Sequence, residues 1–566
     1  MTQPAAGPAR VAALPILVLG VLLVYAAWAT HDIELPGIYM DSVNPDYLVA
    51  KLLNRAHAEP LIAWVLPGNY LADRFPVLVS MYHGLQQFWL GLPLYAIFGM
   101  SVAGIRLTHM AFGIAVLVAT MVLLARARVP VWIAGLAGIA LAFDPAFVFA
   151  YRTQSYITMS PVAWLLLSMA LLADGVHPAT HTASRHVASG VCCGFAVLGY
   201  FVYAFYVPAM LLWIVATSRV ATPGAVSTRW RDAVGWLSGV AFGCAYYALG
   251  YALVARKLGG GIAGLAAYVT ESSKRLDAFG AALPLGERVS ATAAFAEAAL
   301  TNAWGHALMF GPREPQPFST IKLTLLISAP VALLAYAELR NRSTPLLRLL
   351  IALPLSFCAL ALAFGDLLGG HHFVSLLPLA YAALATGLAA ALPAGLPLDC
   401  ARRRASSVLA TAGLLTLAAI NVAGSQREFE TLERTGGVGL YSDAVNRLAR
   451  DIDALPRRPL AVFPDWGLAL PVTLITGGRV ASSAVVIPGE ARRWLCSGRD
   501  VVIAIVGADD AGRFAAWSRA FDWAPPRVVT YAQRDGVAVA QLGVFASSDQ
   551  GGRACGDGSF GLDSRR

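Results

Sequence analysis

Charged side chains are scarce in this chain of 566 residues. They make up 13% of the sequence, and hydrophobic residues make up 57%, whereas a soluble domain carries about 25% charged residues. A composition this poor in charge excludes a soluble globular protein and indicates a protein that crosses a membrane many times. Several apolar runs reach the ~20 residues that a membrane-crossing helix needs, beginning with residues 11–29.

Cysteine is also sparse. The chain has seven cysteines, and none belongs to a Cys-x-x-Cys pair or a Cys/His cluster, so the sequence predicts no zinc site. The cysteines within apolar runs are expected to be inert packing residues. Cys496 and Cys555 lie in the polar tail, where two states stay open: a disulfide, if the tail lies outside the cytoplasm, or two free thiols.

Other absences narrow the function. The chain has no Walker-type phosphate loop, so nothing indicates an ATP-driven pump. It shows no internal repeat, which counts against a secondary transporter built from inverted repeats. In a soluble protein the net charge of +9 would suggest nucleic acid. Here the arginines gather in short connections between apolar runs, as in membrane proteins, so no nucleic-acid partner is predicted.

The arginine-rich connections also predict the orientation in the membrane. They are residues 217–231, 338–348 and 399–404. Because cytoplasmic loops are enriched in arginine and lysine, these three connections are predicted to lie in the cytoplasm. The first loop at 30–82, the loop at 257–320 and the tail from 422 then lie on the extracytoplasmic side.

Two segments leave part of the path open. Either residues 83–99 lie in the interface as an amphipathic helix and 187–217 cross twice, or 83–99 cross and 187–217 cross once. Both alternatives give about eleven crossing helices, with the N-terminus in the cytoplasm and the C-terminus outside. The arginine bias favours the first. The first helix is expected to stay uncleaved, with a cleaved signal peptide as the alternative.

The sequence pattern changes near residue 422. Residues 1–421 are predicted to form the transmembrane domain, 422–548 a small extracytoplasmic α/β domain, and 549–566 a flexible tail rich in glycine and serine. Within the α/β domain, an amphipathic helix at 440–455 is followed by strand patterns, among them 459–464, that alternate with helices. This domain is expected either to bind an acceptor or to brace the first loop.

Polar residues near the predicted outer face gather in four segments. They are the first loop, with Asp41 and Asp46; FDPAFVFAYRTQSY, with Asp144 and Arg152; the loop 257–320, with Lys257 and NAWGH at 302–306; and GDLLGGHHF, with His371 and His372. Ionisable groups at membrane depth are costly and tend to mark function. In the first loop, Asn44 is predicted to cap a short helix whose first turn contains Pro45.

The order of these features resembles the GT-C superfamily of membrane glycosyltransferases, which includes the protein O-mannosyltransferases and the aminoarabinose transferase of lipid A. The resemblance covers residues 11–395. It rests on YMDSVNPDY in the first loop, on YHGLQQFWLGLPLYAIFG followed by AGIRL, and on GGHHFVSLLPLAY at the start of a late helix. The chain departs from the family pattern by lacking a double proline in the second block. It also has Asp41-Ser42 in place of an acidic pair, and His371-His372-Phe373 where Arg-Tyr is common.

The resemblance implies a multi-pass enzyme of a bacterial inner membrane. Such an enzyme transfers a sugar from a polyprenyl-phosphate donor to a glycan, lipid or protein acceptor on the extracytoplasmic face, with inversion. Asp41 is the candidate base for the acceptor hydroxyl, and Asp46 is the second candidate carboxylate. Arg152 is predicted to bind the donor phosphate through its planar fork. The groups predicted to assist it are Lys257, His371 and His372.

Each candidate has a structural alternative. Asp41 is alternatively a solvated loop residue, Asp46 a favourable charge at a helix N-terminus, and Arg152 an anchor that reaches lipid headgroups. The sequence contains no recognisable set of metal ligands. A divalent cation near Asp41 is left open as a cofactor. Two functions without catalysis also stay open. One is a lipid or glycan transporter, which is disfavoured because the centres of the predicted helices are almost free of charge. The other is a membrane scaffold.

Overall fold

A computed structural model of the chain describes residues 8–54, 70–71, 75–78, 83–153, 159–173, 183–217, 226–267, 270, 283–312, 318–365, 368–393, 401–509 and 512–550. The chain divides into two compact units. The first comprises Met1–Ile33, Leu66–Gly91 and Arg106–Glu430, and the second comprises Glu34–Val65, Leu92–Ile105 and Thr431–Arg566. The second unit therefore contains both a part of the predicted first loop and the C-terminal part of the chain.

Helices account for most of the described residues. In chain order they are α1 (Pro8–Ala29), α2 (Leu48–Asn54), α3 (Gln86–Phe98), α4 (Val102–Arg126), α5 (Val131–Ala142), α6 (Pro145–Thr153), α7 (Val162–Leu172), α8 (Ala183–Gly199), α9 (Val207–Thr217), α10 (Val226–Gly243), α11 (Ala245–Lys257), α12 (Leu285–Thr301), α13 (Ala303–Phe310), α14 (Ser319–Leu339), α15 (Pro345–Ala361), α16 (Leu376–Ala391), α17 (Ala401–Thr435), α18 (Asp443–Ala454), α19 (Ala469–Ile475), α20 (Pro488–Cys496) and α21 (Arg513–Phe521). The strands are β1 (Tyr70–Leu71), β2 (Phe75–Pro76), β3 (Leu460–Val462), β4 (Ala481–Ser483), β5 (Val501–Val506), β6 (Arg527–Ala532) and β7 (Ala538–Phe545).

Several helices are suited to cross a membrane. Four described stretches are long and apolar enough: α4, α14, Gly370–Ala391, which includes α16, and Arg403–Thr435 within α17. If the bent pairs α5–α6 and α10–α11 each count as one crossing, the number rises to six. The predicted class, a polytopic helical membrane protein with a small C-terminal sheet, is confirmed. The number of about eleven crossings stays a prediction.

The two ambiguous segments form shorter helices than a straight crossing needs. Helix α3 has 13 residues, whereas a crossing helix needs ~20. The run 187–217 is divided between α8 and α9 by a 3-10 helix at Phe201–Tyr206. Which of the two membrane paths the chain takes stays a prediction.

The apolar run at 129–149 is bent rather than straight. Helices α5 and α6 meet at 56°, with Asp144 between them. Pro145 has no N–H for the helical ladder, and Asp144 Oδ1 accepts the N–H of Ala146 at 2.8 Å, which caps the new helix. The break therefore sets the buried Asp144 carboxylate at the start of α6.

Helices α8 and α10 pack through glycines, which are Gly190, Gly194, Gly239 and Gly243. A Cβ atom on Gly190 would lie 2.0 Å from the Trp236 carbonyl oxygen, and one on Gly239 would lie 2.2 Å from the Val187 carbonyl oxygen. Small residues at this spacing let two helix backbones touch, and such contacts drive helix association in membranes.

We expect Gly239→Ala to destabilise the protein by ~1–3 kcal/mol, because the added methyl group forces α8 and α10 apart. The matched control is Gly235→Ala on the same helix, where a Cβ atom meets nothing closer than Val187 Cγ2 at 3.7 Å. That variant is expected to be neutral or slightly stabilised, since alanine favours a helix over glycine. Thermal unfolding in detergent compares the two variants. Equal melting temperatures would contradict the packing argument.

The C-terminal part of the chain forms an α/β domain around a five-stranded sheet. The strand order is β4-β3-β5-β7-β6, with β4, β3 and β5 parallel and β7 antiparallel to both its neighbours. Side chains of β5 alternate between the two faces: Val502 and Ala504 join a core with α18, and Ile503 and Ile505 join one with α20 and α21. The helix predicted at 440–455 and the strand predicted at 459–464 are confirmed as α18 and β3.

The predicted domain limits meet a continuous helix. Helix α17 runs from Ala401 to Thr435 without interruption, across the predicted boundary between residues 421 and 422. The limits of the domains stay predictions. Cys496 is disulfide-bonded, and its predicted partner Cys555 lies outside the described residues, as does most of the predicted tail 549–566.

Candidate functional site

Asp41 begins a one-turn 3-10 helix, Asp41–Val43, in the second unit. The hydroxyl group of Tyr39 donates a hydrogen bond to its carboxylate, and the Tyr39 ring stacks on Tyr441 with 4.6 Å between centres. Burial raises the pKa of Asp41 to about 6, against a smaller lowering by the Tyr39 hydrogen bond. Asp41 is therefore ionised at neutral pH and is a stronger base than an ordinary aspartate.

The α/β domain holds the backbone of the segment that carries Asp41. Asn446 on α18 accepts the N–H of Ile38 at 3.0 Å through Oδ1 and donates to the Glu34 carbonyl oxygen at 3.1 Å through Nδ2. The N–H of Gly37 donates to the Tyr441 carbonyl oxygen at 2.6 Å. Asn446 is 2% exposed, so water competes little for these bonds. The domain thus braces this part of the first loop.

Asp46 lies in the same unit in a different environment. Its side chain is 0% exposed, and Oδ2 accepts the Tyr95 hydroxyl group at 2.6 Å. Helix α2 begins only at Leu48, so the prediction that Asn44 caps it is wrong. The reason is that residues 44–47 form a turn before the helix rather than its first turn. The bond to Tyr95 holds the Asp46 carboxylate in place, and its role as a second catalytic carboxylate stays a prediction.

Arg152 lies at the end of α6 in the first unit. Its Nη2 donates to the Asp32 carbonyl oxygen, and its own carbonyl oxygen accepts from Arg106 Nη1 at 2.7 Å. The guanidinium carbon lies 5.2 Å from the centre of the Phe429 ring. At 0% exposure, Arg152 does not reach out to headgroups as the alternative interpretation requires.

His371 and His372 share the 3-10 helix Gly370–Phe373 in the first unit, but they differ in their contacts. His372 Nδ1 donates to the Gly369 carbonyl oxygen at 3.0 Å, which leaves Nε2 to accept the Tyr200 hydroxyl group at 2.9 Å. A carbonyl oxygen only accepts, so this assignment of the proton follows from the geometry. The His372 ring is thus held by the scaffold, while His371 lines a pocket.

We name this cavity the Asn302 pocket. It lies in the first unit and is lined by Ala146, Ala150, Met159, Ala298, Ala299, Asn302, Trp304, Gly305, Gly370, His371 and Val374. A Cβ atom on Gly370 would lie 2.6 Å from Trp304 Cγ, so glycine lets the histidine segment approach the indole. His371 and the NAWGH stretch were both singled out in the sequence, but Asn302 and Trp304 carried no predicted role.

Lys257 and Asp144 complete the predicted polar set. Lys257 is exposed at the end of α11 and is not one of the residues that line the Asn302 pocket. Asp144 is buried, with Oδ1 2.7 Å from Lys322 Nζ and Oδ2 accepting the Tyr381 hydroxyl group at 2.7 Å. Sequence analysis missed Lys322, although a lysine at the edge of an apolar run was a signal for a buried ion pair.

No protein-family model matches the chain, and no curated protein matches its sequence. Among solved structures, the chain is similar to ArnT from Cupriavidus metallidurans bound to undecaprenyl phosphate, with 14% identity and a TM-score of 0.53 over 95% of this chain and 98% of that one. It is also similar to the apo state of that ArnT (13% identity, TM-score 0.48, 96% and 99% covered). A third similar structure is the archaeal oligosaccharyltransferase AglB from Archaeoglobus fulgidus, with 13% identity and a TM-score of 0.44 over 86% of this chain and 69% of that one. The first likeness shows a shared fold over nearly the whole of both chains, and the GT-C-like fold predicted from the sequence is confirmed.

Proposed function

We propose that this chain, which has the GT-C fold, transfers a sugar from a polyprenyl-phosphate donor to an acceptor on the extracytoplasmic face of a bacterial inner membrane. The fold shared with ArnT over 95% of the chain supports the class of enzyme. The observation that carries the proposal is the environment of Asp41. It is a carboxylate with a pKa of about 6 on a segment that the α/β domain braces.

In the proposed reaction Asp41 acts as the general base. Its carboxylate takes the proton from an acceptor hydroxyl group while the acceptor oxygen bonds to the anomeric carbon of the sugar. The bond between that carbon and the phosphate oxygen breaks, and the polyprenyl phosphate leaves with the electron pair. This single displacement inverts the anomeric configuration. A base is most effective when its pKa lies near the working pH, and the burial of Asp41 moves its pKa in that direction.

The leaving phosphate gains negative charge, so the reaction needs hydrogen-bond donors or cations at that position. Among the predicted phosphate ligands, His371 lines a pocket, and we assign it the contact with the donor. The ring nitrogens of His372 are engaged by Gly369 and Tyr200, and Arg152 donates to the Asp32 carbonyl oxygen. We assign these two a positioning role. Lys257 stays a candidate for attracting the anionic donor.

A transfer assay tests the proposed function. The purified chain is reconstituted with a panel of radiolabelled polyprenyl-phosphate sugars and total membrane acceptors, and labelled product is counted. We expect transfer from at least one donor. If no donor loses its sugar, the enzyme proposal is contradicted. Movement of intact labelled lipid between leaflets would then favour the transporter, and the absence of both activities would favour the scaffold.

A further inference from the structure

Two residues that line the Asn302 pocket have buried hydrogen-bond donors without an acceptor among the described residues. Within the described part of the chain, neither Asn302 Nδ2 nor Trp304 Nε1 has an acceptor. Asn302 is 3% exposed. A buried donor without an acceptor costs about 1–3 kcal/mol, and most buried polar groups in proteins are satisfied. Two such donors in the wall of one cavity indicate that the acceptor comes from a ligand.

The lining of the pocket specifies the chemistry of that ligand. None of the described residues that line the pocket is acidic, so the polar side chains among them offer mainly donors. Gly305, in the first turn of α13, also lines the pocket. Asn302 precedes this helix in the left-handed conformation, with φ of 68°, which asparagine tolerates.

The size of the pocket limits how much of a ligand enters it. The space open to the centres of water molecules is about 20 Å³, which is enough for one or two water molecules or for a small oxygen-bearing group. One or two oxygens of a phosphate group fit within these limits, whereas a whole sugar ring does not. The alanines and glycines of the wall leave room for these oxygens and add no polar side-chain atoms.

We infer that the Asn302 pocket binds the phosphate group of a polyprenyl-phosphate lipid, with Asn302 and Trp304 as neutral donors beside His371. This inference rests on the proposed function, because it names the site of that donor's phosphate. It also separates the phosphate site from Arg152. Ala146 and Ala150 line the pocket from one face of α6, and at about 100° per residue Arg152 lies roughly 200° around the helix from Ala150.

Binding of tritiated undecaprenyl phosphate to the purified full chain in detergent tests the inference. Asn302→Asp keeps the size and backbone preference of the residue but opposes an anion, and we expect at least a tenfold loss of affinity. Trp304→Phe keeps the ring against Gly370 and removes the N–H, and we expect a threefold to tenfold loss. The matched controls are Asn341→Asp, also at positive φ, and Trp132→Phe. Both controls are expected to bind as wild type does.

The possible outcomes separate the inference from the proposed function. If both pocket variants unfold at the wild-type temperature and bind with wild-type affinity, the inference is wrong while the transferase stands. If the wild type binds no polyprenyl phosphate, the inference fails, and the separate transfer assay decides the function. Competition by inorganic phosphate at concentrations similar to those of the lipid, lost in Asn302→Asp, would show an oxyanion site that does not need the lipid and would overturn the lipid assignment. Without such competition, the lipid-linked phosphate is supported.

Discussion

Asp41→Asn is expected to lower sugar transfer by about 10²–10⁴-fold, the range for loss of a general base. The amide has nearly the same shape and still accepts a hydrogen bond from Tyr39, but it cannot take the acceptor proton. The measurement is the initial rate of transfer with a donor on which the wild type is active. Substrate binding is expected to be unchanged, so the loss should fall on kcat rather than KM.

The pH dependence of transfer tests the same role. Because the pKa of Asp41 is raised to about 6, the wild-type rate should rise about tenfold per pH unit below 6 and level off above it. An ordinary aspartate, with a pKa near 3.9, would show no such limb between pH 5 and 7. The residual rate of Asp41→Asn is expected to lack this limb.

Asp41→Asn should also leave the protein at least as stable as the wild type. A carboxyl group whose pKa is about 6 when folded and about 3.9 when unfolded binds more protons in the folded state between these values. Stability therefore falls as pH rises from about 4 to 6, and the full cost, at most ~3 kcal/mol, persists above 6. The amide removes that cost, so its melting temperature at pH 7.5 is expected to equal or exceed that of the wild type.

A matched control keeps this prediction specific to Asp41. Asp522 is exposed and has φ of 52°, a conformation that asparagine tolerates, and Asp522→Asn is expected to retain wild-type transfer and pH dependence. If a folded Asp41→Asn protein transfers sugar at the wild-type rate, Asp41 is not the base, although the protein is still a glycosyltransferase. If the Asp41→Asn protein loses transfer because it is unfolded, Asp41 has a structural role instead.

Removal of Lys322 is expected to destabilise the first unit strongly. Lys322→Met leaves the buried Asp144 carboxylate without its cation, which typically costs about 3–5 kcal/mol. Among the described residues, Asp144 would keep its hydrogen bonds from Tyr381 and the Ala146 backbone. The double variant Asp144→Asn/Lys322→Met has no uncompensated charge, and the asparagine oxygen can still cap α6. Thermal unfolding in detergent should therefore show a large loss for the single variant and a partial recovery for the double variant.

The exposed pair Arg348–Glu338 is the control for this ion pair. Its Nε–Oε1 distance is 2.6 Å, close to the 2.7 Å of the Lys322–Asp144 contact, but both partners are exposed. Exposed pairs contribute about 0–1 kcal/mol, so Arg348→Met is expected to change the melting temperature little. If Lys322→Met lowers the melting temperature as little as Arg348→Met does, then burial does not strengthen the contribution of the Asp144–Lys322 pair to stability.

Much of the fold could be predicted because it depends on local pattern. The charge-poor composition and the long apolar runs indicated a polytopic helical protein, and short apolar runs indicated the strands β3 and β5 of the tail. Asp41 also stood out by its position, directly after the first helix, and by the motif around it. The bend at Asp144 was harder to predict, because an apolar run reads the same whether it is straight or broken.

The roles within the site were less predictable, because they depend on contacts between residues far apart in the chain. Asp46 and Tyr95 are separated by 49 positions, and Asp144 and Lys322 by 178. No spacing rule links such pairs. Likewise, the sequence suggests that His371 and His372 are equivalent, and only their neighbours distinguish the histidine that Gly369 and Tyr200 hold from the one that lines a pocket.

The sequence by itself determined the class of this protein, the helices it builds and the carboxylate to test first. These follow from transfer free energies and from the intrinsic periods of helices and strands, which act locally along the chain. Only the tertiary structure decided that the α/β domain holds the Asp41 segment through Asn446 and that burial raises the pKa of Asp41. It also decided that Asn302 and Trp304 line one cavity with donors that have no acceptor among the described residues. Burial and hydrogen-bond partnership are properties of the packed molecule, because the residues that exclude water from a group come from distant parts of the sequence.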